Sequence, residues 1–186
     1  YFGKPRTDYQ LLREHAAGVI CLSGCPSGRL SKSLENGDSE EAKREIERLC
    51  DIFGPKNVYL EIQQTGIADL EHISPALAEL AGQVGLPLVA TNDIHYLEHK
   101  DAEAHDVLLC IQTGARRGEE KRLRFNSEEF YFKTEAEMLH AFRDYPEAVR
   151  NTLLVAERCN VTMDFGHFLL PSYPVPADFD DEAAYL

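Results

Sequence analysis

Apolar residues in this chain recur with two periods, one near two and one near 3.6, and the switches between them mark out its elements. Gly18-Val19-Ile20-Cys21-Leu22-Ser23-Gly24 reads as a buried strand. Asp38-Ser39-Glu40-Glu41 then supplies an N-cap with an acid three residues on. Ala42, Ile46, Leu49 and Phe53 follow at helical spacing until Gly54-Pro55 stops the helix. Asn57 to Ile62 reads as a second strand. Leu70, Ile73, Leu77, Leu80 and Val84 then mark an amphipathic helix over 69–84, with Gly85 as its stop. Leu86 to Thr91 is the third strand. Strand, helix, strand, helix, strand with short connections predicts α/β architecture, a parallel sheet or part of a (βα) barrel. Three strands alone cannot close a barrel.

The pattern changes after His95. Ala102, His105, Leu108, Leu109 and Ile111 predict a helix over 101–112. Phe130-Tyr131-Phe132-Lys133 reads as a short strand, and Thr134-Glu135-Ala136-Glu137 as a capping box opening a helix to Phe142. Pro146 suits the first position of a last helix ending near Cys159. From Phe168 onward the chain is extended and Pro-punctuated, and it ends in an acidic tail expected to be mobile. The resulting organisation is an α/β unit over 1–112 and a mostly helical connecting segment over 113–186, with the break inside 113–127.

Composition narrows the class. The 186 residues are 44% hydrophobic and 27% charged, an ordinary globular balance. The longest apolar runs fall far short of the roughly 20 residues that a membrane span needs. The N-terminus has neither an initiator Met nor the apolar stretch of a secretory signal, so the chain is expected to be a piece of a longer cytoplasmic polypeptide. Five scattered cysteines agree with that compartment: Cys21, Cys50 and Cys110 read as reduced core thiols. A net charge of −13 repels phosphate backbones, so the chain by itself is not expected to hold nucleic acid tightly. The run from Arg116 to Arg124 carries five basic residues in nine and is expected to be a solvated loop.

The candidate chemistry lies at strand ends. Asp93 and His95 stand two residues apart just after the third strand, so on an extended chain alternation sets both on one face, where α/β proteins open toward ligands and metals. Cys25 follows the first strand in a Gly-Cys-Pro-Ser-Gly turn. Carboxylate, imidazole and thiolate arriving from two strand ends suit a transition metal such as zinc. Each also has a plainer reading: a turn-capping Asp beside a structural His, and a small residue in a tight turn. His105 reads as a hydrogen-bonded core or interface histidine, while Glu61 faces either a barrel interior or solvent. His15, His72, His140 and His167 read as surface or helix positions. No glycine-rich nucleotide motif and no G-x-S-x-G is present.

Five segments taken together carry a resemblance. They are Leu22–Gly28, Phe53–Glu61, Leu86–Tyr96, Ala104–Gly114 and Ala156–Asn160. In that order the chain resembles the alpha (catalytic) subunit family of bacterial DNA polymerase III. The likeness covers the C-terminal half of its PHP (polymerase and histidinol phosphatase) domain and the connection toward the palm. The resemblance implies a distorted (βα) barrel whose strand ends hold a zinc cluster serving 3′–5′ exonucleolytic proofreading. It assigns Cys25, Asp93 and His95 to the last three ligands of that cluster.

The family's earlier ligands, beginning with a His-x-His pair, are absent, since no His-x-His occurs here. The acidic, magnesium-dependent polymerase site lies in the later palm and is absent too. The segment alone is thus expected to be inactive, with DNA, sliding clamp and clamp loader engaged through the whole subunit and no membrane involved. Two alternatives stand beside it: a free-standing PHP phosphoesterase such as a histidinol-phosphate phosphatase, and a non-catalytic PHP scaffold.

Overall fold

The computed structural model describes residues 6–67, 72–166, 174–178 and 182–185. Its described elements are α1 (Tyr9–Glu14), β1 (Cys21–Leu22), α2 (Arg29–Glu35), α3 (Ser39–Phe53), β2 (Val58–Gln63), α4 (Ile73–Val84), β3 (Leu88–Thr91), α5 (Ala102–Thr113), α6 (Glu135–Ala141), α7 (Pro146–Arg158) and α8 (Glu182–Tyr185). Single 3₁₀ turns at Pro55–Asn57 and His99–Asp101 precede β2 and α5.

The three strands form one parallel sheet in the order β1-β2-β3. Its register pairs Cys21 with Val58, Leu60 with Leu88 and Ile62 with Ala90. Paired residues point to the same face and neighbours along a strand to opposite faces. One face therefore carries Leu60, Ile62, Leu88 and Ala90; the other carries Glu61, Gln63, Val89 and Thr91. The first face is the floor of the core. Leu30 of α2, Ala42 and Ile46 of α3, Ile73, Leu77 and Leu80 of α4, and Ala148 and Val149 of α7 join Leu60, Ile62 and Ala90 in one buried cluster. The helices thus cover that face, and the half-buried polar groups of Glu61, Gln63 and Thr91 are left on the reverse.

Local signals explain where the helices begin. Asp38 caps α3 by accepting from Glu41 N–H at 2.9 Å, which satisfies an otherwise orphaned donor. Ala42, Ile46 and Leu49 then line its buried side, as the spacing predicts, while Ile52 takes the buried place expected of Phe53, which is only half-buried. Glu45 is buried on the same helix. The Tyr9 hydroxyl donates to its carboxylate at 2.5 Å, and Arg48 pairs with it, tying α1 to α3. The capping box at Thr134 forms: Thr134 N–H donates to Glu137 at 2.7 Å, and Glu137 N–H donates back to Thr134 Oγ1 at 3.3 Å.

Several expectations need adjusting. The first strand shrinks to Cys21–Leu22, because Val19 N–H bonds back to Ala16 and Gly18 takes φ +77°, which makes a turn where a strand was expected. The segment 130–133 contributes only an isolated parallel bridge between Tyr131 and Tyr96. Helices α1, α2 and α8 were not foreseen; α2 buries only Leu30 and Ser31, too few positions to show a period. Asp69, Leu70 and the stretch 168–173 lie outside the described residues.

The segment after residue 113 shares the core of the sheet. Phe142, Ala148 and Val149 belong to the main cluster, and Asn151 donates to the Leu88 carbonyl at 2.7 Å. At the foot of β2, Arg158 of α7 donates to Lys56 O at 2.9 Å and to the Tyr59 hydroxyl at 3.1 Å. Among the described residues no helix is long and apolar enough to cross a membrane.

Candidate metal centre

All three strands run parallel, so their C-terminal ends open on one edge. β1 delivers Ser23, Gly24 and Cys25 there. Ser23 N–H donates to Tyr59 O at 3.0 Å and holds this tip against β2. Cys25 then opens a turn through Pro26 and Ser27, closed by Gly28 N–H donating to the Cys25 carbonyl at 2.8 Å. A side chain at Gly28 would meet that carbonyl at 3.0 Å, so the turn favours glycine there. The Cys25 thiol is exposed.

β3 delivers Asn92, Asp93 and His95. The chain leaves the strand after Thr91 and tightens, with Ile94 N–H donating to Asn92 O at 2.9 Å. Asp93 and His95 therefore meet through a turn rather than through strand alternation. The His95 ring nitrogen Nδ1 lies 2.8 Å from Asp93 O and 3.6 Å from Asp93 Oδ1. With Nδ1–H donating to that carbonyl, the lone pair sits on Nε2, the form in which histidine binds a metal.

The segment 125–132 fixes this tip from outside. Asn92 donates to Tyr131 O at 2.6 Å, and His95 N–H donates to Phe130 O at 2.8 Å. Phe125 and Phe130 present their rings edge-on to His95 at 4.7 and 5.6 Å between centroids. His105 lies 5.5 Å from His95 and 4.9 Å from Phe125. Burial and the neighbouring His95 lower its pKa below the ordinary histidine value. That suits the half-buried interface histidine its helical setting suggests.

Between the two tips stands β2. Glu61 lies half-buried on the polar face, opposite the helices. Thr91 Oγ1 donates to its Oε1 at 2.5 Å, Gln63 Nε2 to the same oxygen at 3.1 Å, and Gly24 N–H to Oε2 at 3.2 Å. Sequence reasoning missed this network. Its available signal is the period of two that sets Glu61 and Gln63 on one face.

The structure brings Asp93 and His95 together. It leaves Cys25 on a different loop, two strand spacings away across β2, on the order of 10 Å by sheet geometry. Among the described residues no three His, Cys, Asp or Glu side chains gather into a group able to hold a metal ion. The donor types and the His95 tautomer fit zinc. A complete coordination sphere needs more than these three side chains.

The other thiols differ from Cys25. Cys110 is buried, and Cys21 and Cys50 are half-buried. Burial, with added repulsion from Cys50, Glu45 and Glu61, pushes Cys21 up to about 11, so it stays a protonated thiol. The basic loop is not simply solvated. Arg122, its side chain nearly buried, forks onto Asp106 of α5 at 2.5 and 2.8 Å, and Arg117 reaches Glu103 at 2.7 Å.

The three strands make a parallel sheet with metal-type donors just beyond their ends, and residues 1–65 match the family described as "PHP domain". Beyond that class, the chain is similar over nearly its whole length to one stretch of DNA polymerase III subunit alpha. It is 42% identical over 183 residues to that of Treponema pallidum, covering 98% of this chain and 16% of the relative. It is 37% identical over 187 residues to that of Borreliella burgdorferi, covering 100% and 16%, and 37% over 166 residues to that of Pseudomonas aeruginosa, covering 89% and 14%. The chain thus spans about one-sixth of the length of these curated relatives.

Proposed function

We propose that this chain is the C-terminal half of the PHP domain of a replicative DNA polymerase III alpha subunit, with the connection toward its palm. The alignment with such subunits over 98% of the chain is the observation that carries this reading. The whole protein would synthesise DNA in the cytoplasm from an acidic, magnesium-dependent palm site outside this segment. It would work with a sliding clamp and clamp loader. The PHP unit, a (βα) barrel completed by preceding sequence, would edit 3′ ends.

In that unit Cys25, Asp93 and His95 are the last zinc ligands, and preceding sequence supplies the others. A bound zinc supplies an activated water and offsets charge on the phosphodiester. The chain's own residues set the geometry. The turn after Thr91 holds Asp93 against His95, and the Asp93 carbonyl orients the ring so that Nε2 is free. Phe125 and Phe130 limit how far that ring can swing. The similarity to alpha subunits, which continues through the last helix to the end of the chain, supports a polymerase segment over a free-standing phosphatase.

Elemental analysis of the full-length protein tests the ligand set. Cys25→Ala, Asp93→Ala and His95→Ala are each expected to lower zinc content. Unchanged zinc in all three would defeat the assignment, and absence of zinc from the wild type would favour a non-catalytic scaffold.

A further inference from the structure

Glu61 has no place in the ligand set, yet it touches both tips that carry the ligands. Its two carboxylate oxygens accept from Gly24 N–H at the end of β1 and from the Thr91 hydroxyl at the end of β3, at 3.2 and 2.5 Å. Gln63 adds a third donor at 3.1 Å. Its backbone joins in, because Glu61 N–H donates to Ser23 Oγ at 2.9 Å. The middle strand thus grips the outer two at the residues adjacent to Cys25 and two before Asp93.

We propose that Glu61 is a positioning residue, a carboxylate strap that fixes the Cys25 tip relative to the Asp93–His95 tip so that both can serve one metal centre. The inference deepens the metal reading above and rests on it. Three features assign the role.

First, three donors take up three of the roughly four acceptor sites on its two oxygens, so Glu61 is engaged chiefly in holding its neighbours. Second, hydrogen bonds donated to a charged acceptor are stronger than neutral ones, which suits a strap across strands. Third, the β1 tip needs one. β1 pairs with β2 over only two residues, and Gly24 takes φ +95°, the left-handed region in which glycine is at ease. A tip so lightly held by its ladder depends on the Glu61 contacts for its place. Metal sites depend in the same way on the groups that orient their ligands.

Two variants separate geometry from charge. Glu61→Gln turns an NH₂ toward one of the donors and loses a tether; Glu61→Asp keeps the charge but is one methylene short of spanning both tips. In the full-length protein, both are expected to weaken zinc binding about 10- to 100-fold in chelator competition, the range for lost ligand-orienting partners. Thermal unfolding would stay cooperative. In metal-stripped protein, both are expected to speed amide exchange at Gly24 about tenfold or more over the wild type.

Full zinc affinity in Glu61→Asp with loss only in Glu61→Gln would reduce the role to charge and overturn the proposal. Unchanged Gly24 exchange would overturn it as well, whatever the zinc result. Cys25→Ala and His95→Ala run alongside. If those two keep their zinc, the metal reading itself has failed and the strap falls with it. If they lose zinc while both Glu61 variants keep it, only the strap is wrong.

Discussion

Single side chains here differ in ways their sequence neighbours do not announce. Cys25 and Cys159 are exposed, Cys110 is buried, and the Cys21 thiol is pushed up to about 11. Alkylation near neutral pH should therefore label Cys25 and Cys159 first, Cys21 slowly, and Cys110 only on unfolding; mass mapping of a time course checks the order. Asp106 gives a pH prediction. The hydrogen bonds and charge of Arg122, with Arg117 beside it, hold its carboxyl below the usual carboxylate range. A group titrating lower in the folded than in the unfolded state stabilises the fold above its unfolded pKa, about 4. That contribution is lost as pH falls through the lower folded value. Urea titrations should show Asp106→Asn less stable than the wild type at pH 7, with the gap closing as pH drops below 4.

Elements were legible where the signal is local. The cap at Asp38, the spacing of Ala42, Ile46 and Leu49, and the capping box at Thr134 act within one turn, and each stands in the structure. β1 shows the opposite case: an apolar run reads as a strand, but only two of its residues find a partner in β2. The junction of α6 and α7 depends on a side chain that no period points to. Phe142 ends α6 and is 1% exposed, packed among helices from both halves of the chain. Phe142→Ala should destabilise the fold by about 3–5 kcal/mol, read as a lower denaturant midpoint with an unchanged slope. A loss below about 1 kcal/mol would mean that the helices close over the space.

At the scale of the molecule, one core crosses the boundary that the sequence suggests near residue 113. Leu60, Ile62 and Ala90 on the sheet share it with Phe142, Ala148 and Val149. A polypeptide ending at residue 112 should therefore lack a cooperative thermal transition that the 186-residue chain shows, measured by circular dichroism under identical conditions. A sharp transition in the shortened chain would mean that the first unit holds its own core. The same packing puts the segment 125–132 against the β3 tip, so the candidate centre draws support from both sides of that boundary.

By itself the sequence determined the succession of β1, α3, β2, α4 and β3, the caps at Asp38 and Thr134, and the residue types at the strand ends. These follow from hydrogen bonding and side-chain periods that reach only a few residues along the chain. It also kept Asp93 close to His95, since only Ile94 stands between them. The tertiary structure alone decided that Glu61 spans β1 and β3, that Phe125 and Phe130 frame His95, and that Arg122 is spent on Asp106. Each of those contacts joins residues brought near only by sheet register and helix packing. A polar group's partner across a sheet depends on how strands are aligned, and that alignment is a property of the folded chain as a whole.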